Sequence, residues 1–223
     1  MSSKTIDLNV FFPALLGVAL TLAGCASDGP VDNPILRSAQ WRGYVAASDL
    51  RGACRPGAPE TLRLVFNGDY KEEIRTYDIL ASAEGATLEV RRRGSTNLLT
   101  MNLLDPLGLW RGDKRVQTVD RATYGRIKTA LLQSGFRESQ DDARLKSDSF
   151  YWVASACLDG TFRTQVWTWP SDRYERIRFD RILVAIDGFD MPLREPRPPR
   201  VPFADERREN PPFEIRFRGG QLY

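Results

Sequence analysis

The chain predicts an α+β fold: an antiparallel β-sheet of hairpins with two amphipathic helices packed on one face. Three observations lead there. Short runs of alternating apolar and polar residues follow one another, and alternation is the period of a half-buried strand. Asn67-Gly68 and Asp159-Gly160 interrupt such runs, and these dipeptides suit two-residue type I′ hairpin turns. Two longer stretches carry apolar residues at helical spacing. Strands in series, with helices set apart from them, give an α+β architecture.

In chain order, Asn33-Pro34 suits the start of a short helix, because proline's fixed φ is tolerated at the first helical position. Gln40 to Ala47 is ambiguous, and Arg55-Pro56-Gly57-Ala58-Pro59 is loop. Leu62, Leu64 and Phe66 share one face of a strand, and Arg63 and Val65 the other. Asn67-Gly68 turns the chain into a return strand, Tyr70 to Leu80. Ala86 to Arg92 and Asn97 to Leu104 are two further strands, separated by Gly94-Ser95, so that four strands form a meander. Asp105-Pro106 ends this pattern. Val119 to Ser134 is predicted as a helix with Thr123, Ile127, Ala130, Leu131 and Ser134 on one stripe, Thr118 as N-cap and Gly135 just past its end. Gln140 to Ser149 reads as a polar connection.

Phe150 to Trp169 is the most informative stretch. The Asp159-Gly160 turn sets Leu158 opposite Thr161, and the pairing runs outward from there. One face then carries Cys157 with Phe162, Val153 with Val166, and Tyr151 with Thr168. The other carries Ala156 with Arg163, Ala154 with Gln165, Trp152 with Trp167, and Phe150 with Trp169. A one-residue slip would exchange the two faces. Arg173 to Asp187 is predicted as the second helix, with Phe179, Ile182, Leu183 and Ile186 on its apolar stripe and Gly188 as its stop. From Met191 onward the chain is rich in proline and arginine and extended. Phe213 to Arg218 alternates strictly and is predicted to dock as an edge strand. The folded domain is thus assigned to residues 35–190, and residues 191–223 to a C-terminal extension.

Composition narrows the chemistry. The 223 residues include 32 basic and 29 acidic side chains and no histidine, which excludes Ser-His and Cys-His nucleophiles and imidazole metal ligands. A net charge of +3 is too small to indicate nucleic acid. No metal, cofactor or nucleic acid is expected.

The N-terminus supplies an address. Val10 to Gly24 is an uncharged, mostly apolar run of 15 residues, too short for a comfortable membrane span of about 20. It fits the apolar core of a secretory leader and ends in small residues. Leu22-Ala23-Gly24-Cys25 resembles the lipobox of bacterial lipoproteins. That resemblance implies cleavage before Cys25, so that residues 1–24 are a signal peptide, with acylation of Cys25 and attachment to the bilayer. Residues 25–34 would be a tether. Ala26 and Ser27 stand where the family's inner-membrane retention aspartate would be, so the resemblance favours the outer membrane, facing the periplasm. The segment from the first predicted helix through Gly135-Phe136 to the aromatic hairpin also resembles uncharacterised bacterial envelope proteins, which implies no activity.

Cys54 and Cys157 are the other cysteines. In an oxidising compartment two leftover cysteines are expected to form a disulfide. The candidate binding face is the quartet Phe150, Trp152, Trp167 and Trp169 with Arg163 and Gln165 beside it. Exposed, these rings would stack a sugar or other flat ligand; covered by a helix, they would be core. Arg91-Arg92-Arg93 is a basic cluster suited to an anionic surface, or simply to a solvated strand edge. The usual catalytic templates are absent from the sequence. The preferred expectation is therefore a non-catalytic envelope lipoprotein with a binding or assembly-accessory role toward an envelope protein or glycan. Alternatives are a histidine-free hydrolase of envelope polymers using paired carboxylates, and a glycan- or peptidoglycan-binding module using the quartet.

Overall fold

The computed structural model describes residues 34–94, 113–199 and 212–223. The leader, Cys25 and the expected strand Asn97 to Leu104 lie outside the described residues. The fold is α+β. Six antiparallel strands form the main sheet in the order β4-β3-β2-β1-β6-β7: β1 (Thr61–Gly68), β2 (Glu73–Ala81), β3 (Gly85–Gly94), β4 (Asp113–Asp120), β6 (Phe150–Leu158) and β7 (Thr161–Thr168). A second sheet has the order β5-β8-β9: β5 (Ala143–Lys146), β8 (Glu214–Arg218) and β9 (Gln221–Leu222). The helices are α1 (Pro34–Val45), α2 (Ser48–Ala53), α3 (Arg121–Gln133), α4 (Asp172–Glu175) and α5 (Asp180–Ile186).

The alternation along each strand gives the main sheet two apolar faces, and both are covered. On the first, Leu62, Leu64 and Phe66 of β1 meet Trp152 and Ala154 of β6 and Trp167 of β7. Ile127 and Leu131 of α3 and Leu183 of α5 close over them. On the second, Val65, Tyr151, Val153 and Val166 meet Trp41 and Val45 of α1 and Leu145, Ile215 and Phe217 of the small sheet. The two amphipathic helices do share one face, but the opposite face is not bare.

The β6–β7 hairpin has the expected register throughout, from Leu158 opposite Thr161 to Tyr151 opposite Thr168. Asp159 and Gly160 both take the positive φ that a type I′ turn demands, 52° and 71°. Gly135 lies past the end of α3 at φ 83°, as a helix stop requires.

Several expectations are corrected. Asn67-Gly68 is not the first turn. Asn67 is inside β1, opposite Ile74 and Tyr151, and the chain reverses at residues 69–72. The side chain of Asn67 is buried; it donates to the carbonyls of Ser147 (3.1 Å) and Ser149 (2.5 Å) and accepts from the Trp41 indole (3.3 Å). These buried hydrogen bonds outweigh a local turn preference. Helix α3 begins after Asp120, whose carboxylate accepts from the Thr123 N–H at 2.6 Å, and not after Thr118, which is in β4. Tyr124, not Thr123, joins the buried stripe. The polar connection contains β5, whose only fully buried side chain is Leu145. The second predicted helix is broken into α4 and α5 around Arg176 to Phe179. The last strand is not an edge: β8 lies between β5 and β9, with Ile215 and Phe217 in the second core.

The described parts of the proline-rich segment, residues 191–199 and 212–223, belong to the fold. Asn33 to Tyr223 is one compact unit. Buried Arg75 on β2 pairs with Glu73 (2.5 Å) and Asp187 (2.6 Å) and donates to the Met191 carbonyl (3.1 Å). Glu73 in turn accepts from the Arg194 N–H at 3.0 Å. This fastens residues 187–194 to the first face, and β8 is on the second.

Candidate functional site

The aromatic quartet is structural. Trp152, Trp167 and Phe150 are at most 2% exposed, and Gln165 is 3% exposed. Phe179, entering α5, packs edge-on against both indoles, at 5.2 Å from Trp152 and 5.3 Å from Trp167. The Trp167 indole donates to the Ser134 carbonyl at the end of α3 (2.8 Å). Trp169 is half-buried against Phe150. The polar flank is engaged as well: Gln165 donates to the Glu138 carbonyl at 2.7 Å, and exposed Arg163 to the Arg137 carbonyl at 3.3 Å. The six residues do lie on one face, as expected, but α3 and α5 cover the rings. Two apolar helical stripes require an apolar sheet face, and small Ala154 and Ala156 beside the rings leave room for them to pack.

The three consecutive arginines do not form one patch either. They lie in β3, an internal strand, and alternate between its faces. Arg91 pairs with Glu89, Arg92 approaches Glu73 at 3.6 Å on the other face, and Arg93 stacks on the Tyr44 ring at 5.1 Å.

Cys54 and Cys157 form a disulfide with Cα atoms 5.5 Å apart. It ties the end of α2 to β6. A second fastening comes from Arg63 on β1. Its guanidinium binds both carboxylate oxygens of Asp49 (2.9 and 3.0 Å), the Ala46 carbonyl (3.0 Å) and Asp78 (2.6 Å). Burial pushes the Asp49 carboxyl up, but the Arg63 hydrogen bonds and charge outweigh it and hold it below the usual carboxylate range. The α1–α2 junction is therefore held over the second sheet face at two points.

Between this junction and the small sheet is a cleft of about 250 Å³. Val45 and Ala47 form one wall, and Ile215 and Leu222 the other. The floor is Phe162, Ser155 and Thr164 from the β6–β7 hairpin, and Arg42 and Arg51 stand at the mouth. The Ser155 and Thr164 hydroxyls are 2.9 Å apart and both residues are at most 3% exposed. Sequence pattern alone places Cys157, Phe162 and Val166 on one face, but which elements roof that face is a long-range matter. No sequence signal singles out Ser155, Thr164, Arg42 or Arg51.

Among the described residues, two groups of neighbouring carboxylates bear on acid–base chemistry. Glu73 and Asp187 both bind Arg75 in the interior, sealed from solvent. Asp69 feels Asp148 and Glu72 beside it; burial first, then these charges, push its carboxyl above the usual range against the Lys71 N–H. Asp141 and Asp142 are exposed. Neither pair lines the clefts at the α1–α2 junction, between α3 and α5, or over β2 and β3.

Comparison with known proteins finds no matching family model, no matching curated protein and no matching solved structure.

Proposed function

We propose that the protein is a membrane-anchored lipoprotein of the bacterial cell envelope, whose folded domain has a non-catalytic binding or assembly-accessory role. The observation that carries this reading is the Cys54–Cys157 disulfide. Such bonds persist in exported compartments and are rare in the cytosol. It agrees with the lipobox-like Leu22-Ala23-Gly24-Cys25 at the end of an apolar leader. One acyl chain holds a protein to a bilayer only marginally, whereas several on Cys25 would make the attachment lasting. The outer membrane, with the domain facing the periplasm, follows from Ala26 and Ser27 in this reading. Stacking of a glycan on the quartet is not part of the proposal, because the rings are core.

The test is fractionation of producing cells followed by intact mass analysis. The expected species is membrane-bound, begins at Cys25 and carries acyl mass, and Cys25→Ser loses both processing and lipid. An unlipidated full-length chain in the cytosol, with free thiols at Cys54 and Cys157, would overturn the reading.

A further inference from the structure

We infer that the cleft beneath the α1–α2 junction binds a small amphiphilic anion, with one aliphatic tail and one carboxylate-like head. Four features of the cleft specify that chemistry.

The first is its apolar lining. Val45, Phe162, Ile215 and Leu222 offer aliphatic and aromatic surface on three sides, suited to a tail and not to a sugar or a peptide backbone. The second is its size. About 250 Å³ is below the roughly 300–1,000 Å³ of drug-sized pockets, which suits one tail better than two.

The third is an unspent donor in the floor. Ser155 Oγ and Thr164 Oγ1 bond to each other, and each carries one proton. Their mutual bond uses one of the two. The other has no acceptor among the described residues, although both side chains are almost fully buried. A buried hydroxyl proton without an acceptor is costly, and an acceptor oxygen from a ligand would relieve it.

The fourth is charge. Neither Arg42 nor Arg51 has a carboxylate partner among the described residues. Arg42 donates to the Glu214 carbonyl (3.1 Å) and the Ser38 hydroxyl (3.4 Å), and Arg51 lies over the Phe162 ring at 5.0 Å. The acidic residue nearest in sequence, Asp49, is occupied by Arg63. Tyr223 also lines the cleft and turns its main-chain oxygen to the Arg216 N–H (3.1 Å), so two guanidiniums without an ion-pair partner among the described residues, above a donor in the floor, complement an anion. The disulfide and Arg63 hold the wall in place, so the cleft is pre-formed.

The inference does not rest on the anchor at Cys25, and its test separates the two. Full-length protein in phosphatidylcholine nanodiscs, or free in solution if Cys25 proves unlipidated, is irradiated with octanoate bearing a terminal diazirine. Adducts are mapped by mass spectrometry. They are expected on the peptides containing Phe162 and Thr164 and those containing Ile215 and Leu222. Excess octanoate suppresses them and octylamine, with the same tail and opposite charge, does not. The exposed double variant Arg42→Gln/Arg51→Gln is expected to lower cleft labelling about tenfold, the equivalent of one charge-assisted hydrogen bond, with an unchanged melting temperature. Ser155→Ala is expected to lower it as well. Equal suppression by octylamine, undiminished labelling in the arginine variant, or adducts spread evenly over the surface would overturn the inference.

Discussion

Gln140 stands in for a neighbouring strand at Val166. Its side-chain amide donates to the Val166 carbonyl at 2.8 Å and accepts from the Val166 N–H at 3.2 Å. Strand β7 is an edge of the main sheet, and edges recruit other chains unless covered. Arg173 adds a third bond, from Nε to the same carbonyl at 3.3 Å. Gln140→Ala is expected to lower stability by about 1 kcal/mol and to raise self-association at high concentration. Gln140→Glu, which keeps the acceptor and loses the donor, should fall between. Melting curves and light scattering of both variants check this. Two variants as stable as the parent and no more self-associated would show that the edge needs no cover.

The disulfide closes a separation of 103 residues. On chain-entropy grounds its loss costs up to roughly 4–5 kcal/mol, most of it by freeing the unfolded chain. Cys54→Ala/Cys157→Ala should show a correspondingly lower urea midpoint, and a reductant should shift the parent but not the variant. A midpoint within experimental error of the parent would mean that α2 is held by Arg63 alone.

Arg75 bridges Glu73 and Asp187 in the interior, and Asp187 also accepts from the Tyr77 hydroxyl (3.1 Å) and the Phe189 N–H (2.9 Å). Arg75→Met leaves buried Asp187 without a cation and Glu73 with Arg92 alone, at 3.6 Å, and is expected to cost about 3–5 kcal/mol. Arg75→Lys should not restore it, because an ammonium cannot span both carboxylates as a planar fork does. The same change should expose residues 189–197 to proteases, since the Met191 carbonyl loses its donor. Limited proteolysis reads this out, and an unchanged cleavage pattern would show that Glu72 with Arg194 and Arg197 suffices to hold the segment.

Two carboxylates should give opposite pH responses. The Asp69 carboxyl is raised by burial and neighbouring charge, so the folded state resists its ionisation. Its cost is present at neutral pH and vanishes below the unfolded value near about 4. Asp69→Asn should therefore stabilise at pH 7 and match the parent in acid. Asparagine also tolerates the φ of 63° and keeps the acceptor for the Lys71 N–H.

Glu60 is the reverse case. Burial pushes it up, but hydrogen bonds from Lys128 and Tyr124 on α3 outweigh this and hold it low. Its contribution is present above the unfolded value and lost as pH falls through the folded one. Glu60→Gln should destabilise at pH 7 and converge with the parent in acid. Urea midpoints against pH distinguish the two slopes, and parallel curves would refute both assignments.

Features set by neighbours in the chain were legible without a structure. Asp159-Gly160 determined the whole β6–β7 register, because a two-residue turn leaves one pairing and a period of two carries it outward. Gly135 and Gly188 marked helix ends, because positive φ is cheap only for glycine. The cysteine count pointed to the Cys54–Cys157 bond. Tertiary structure decided what local pattern leaves degenerate. Asn67-Gly68 has good turn chemistry yet is inside a strand, since the carbonyls of residues 147 and 149 claim the buried asparagine. Polar, mostly exposed Asp113–Asp120 and four-residue β5 are strands only because partners distant in sequence pair with them. The quartet's alternation placed four rings on one face but held no information on what covers that face. Burial is a property of two surfaces meeting, and here the second surface comes from α3 and α5. The cleft has the same origin: its floor, walls and mouth come from four separate stretches of chain, brought together only by the packing of the second core.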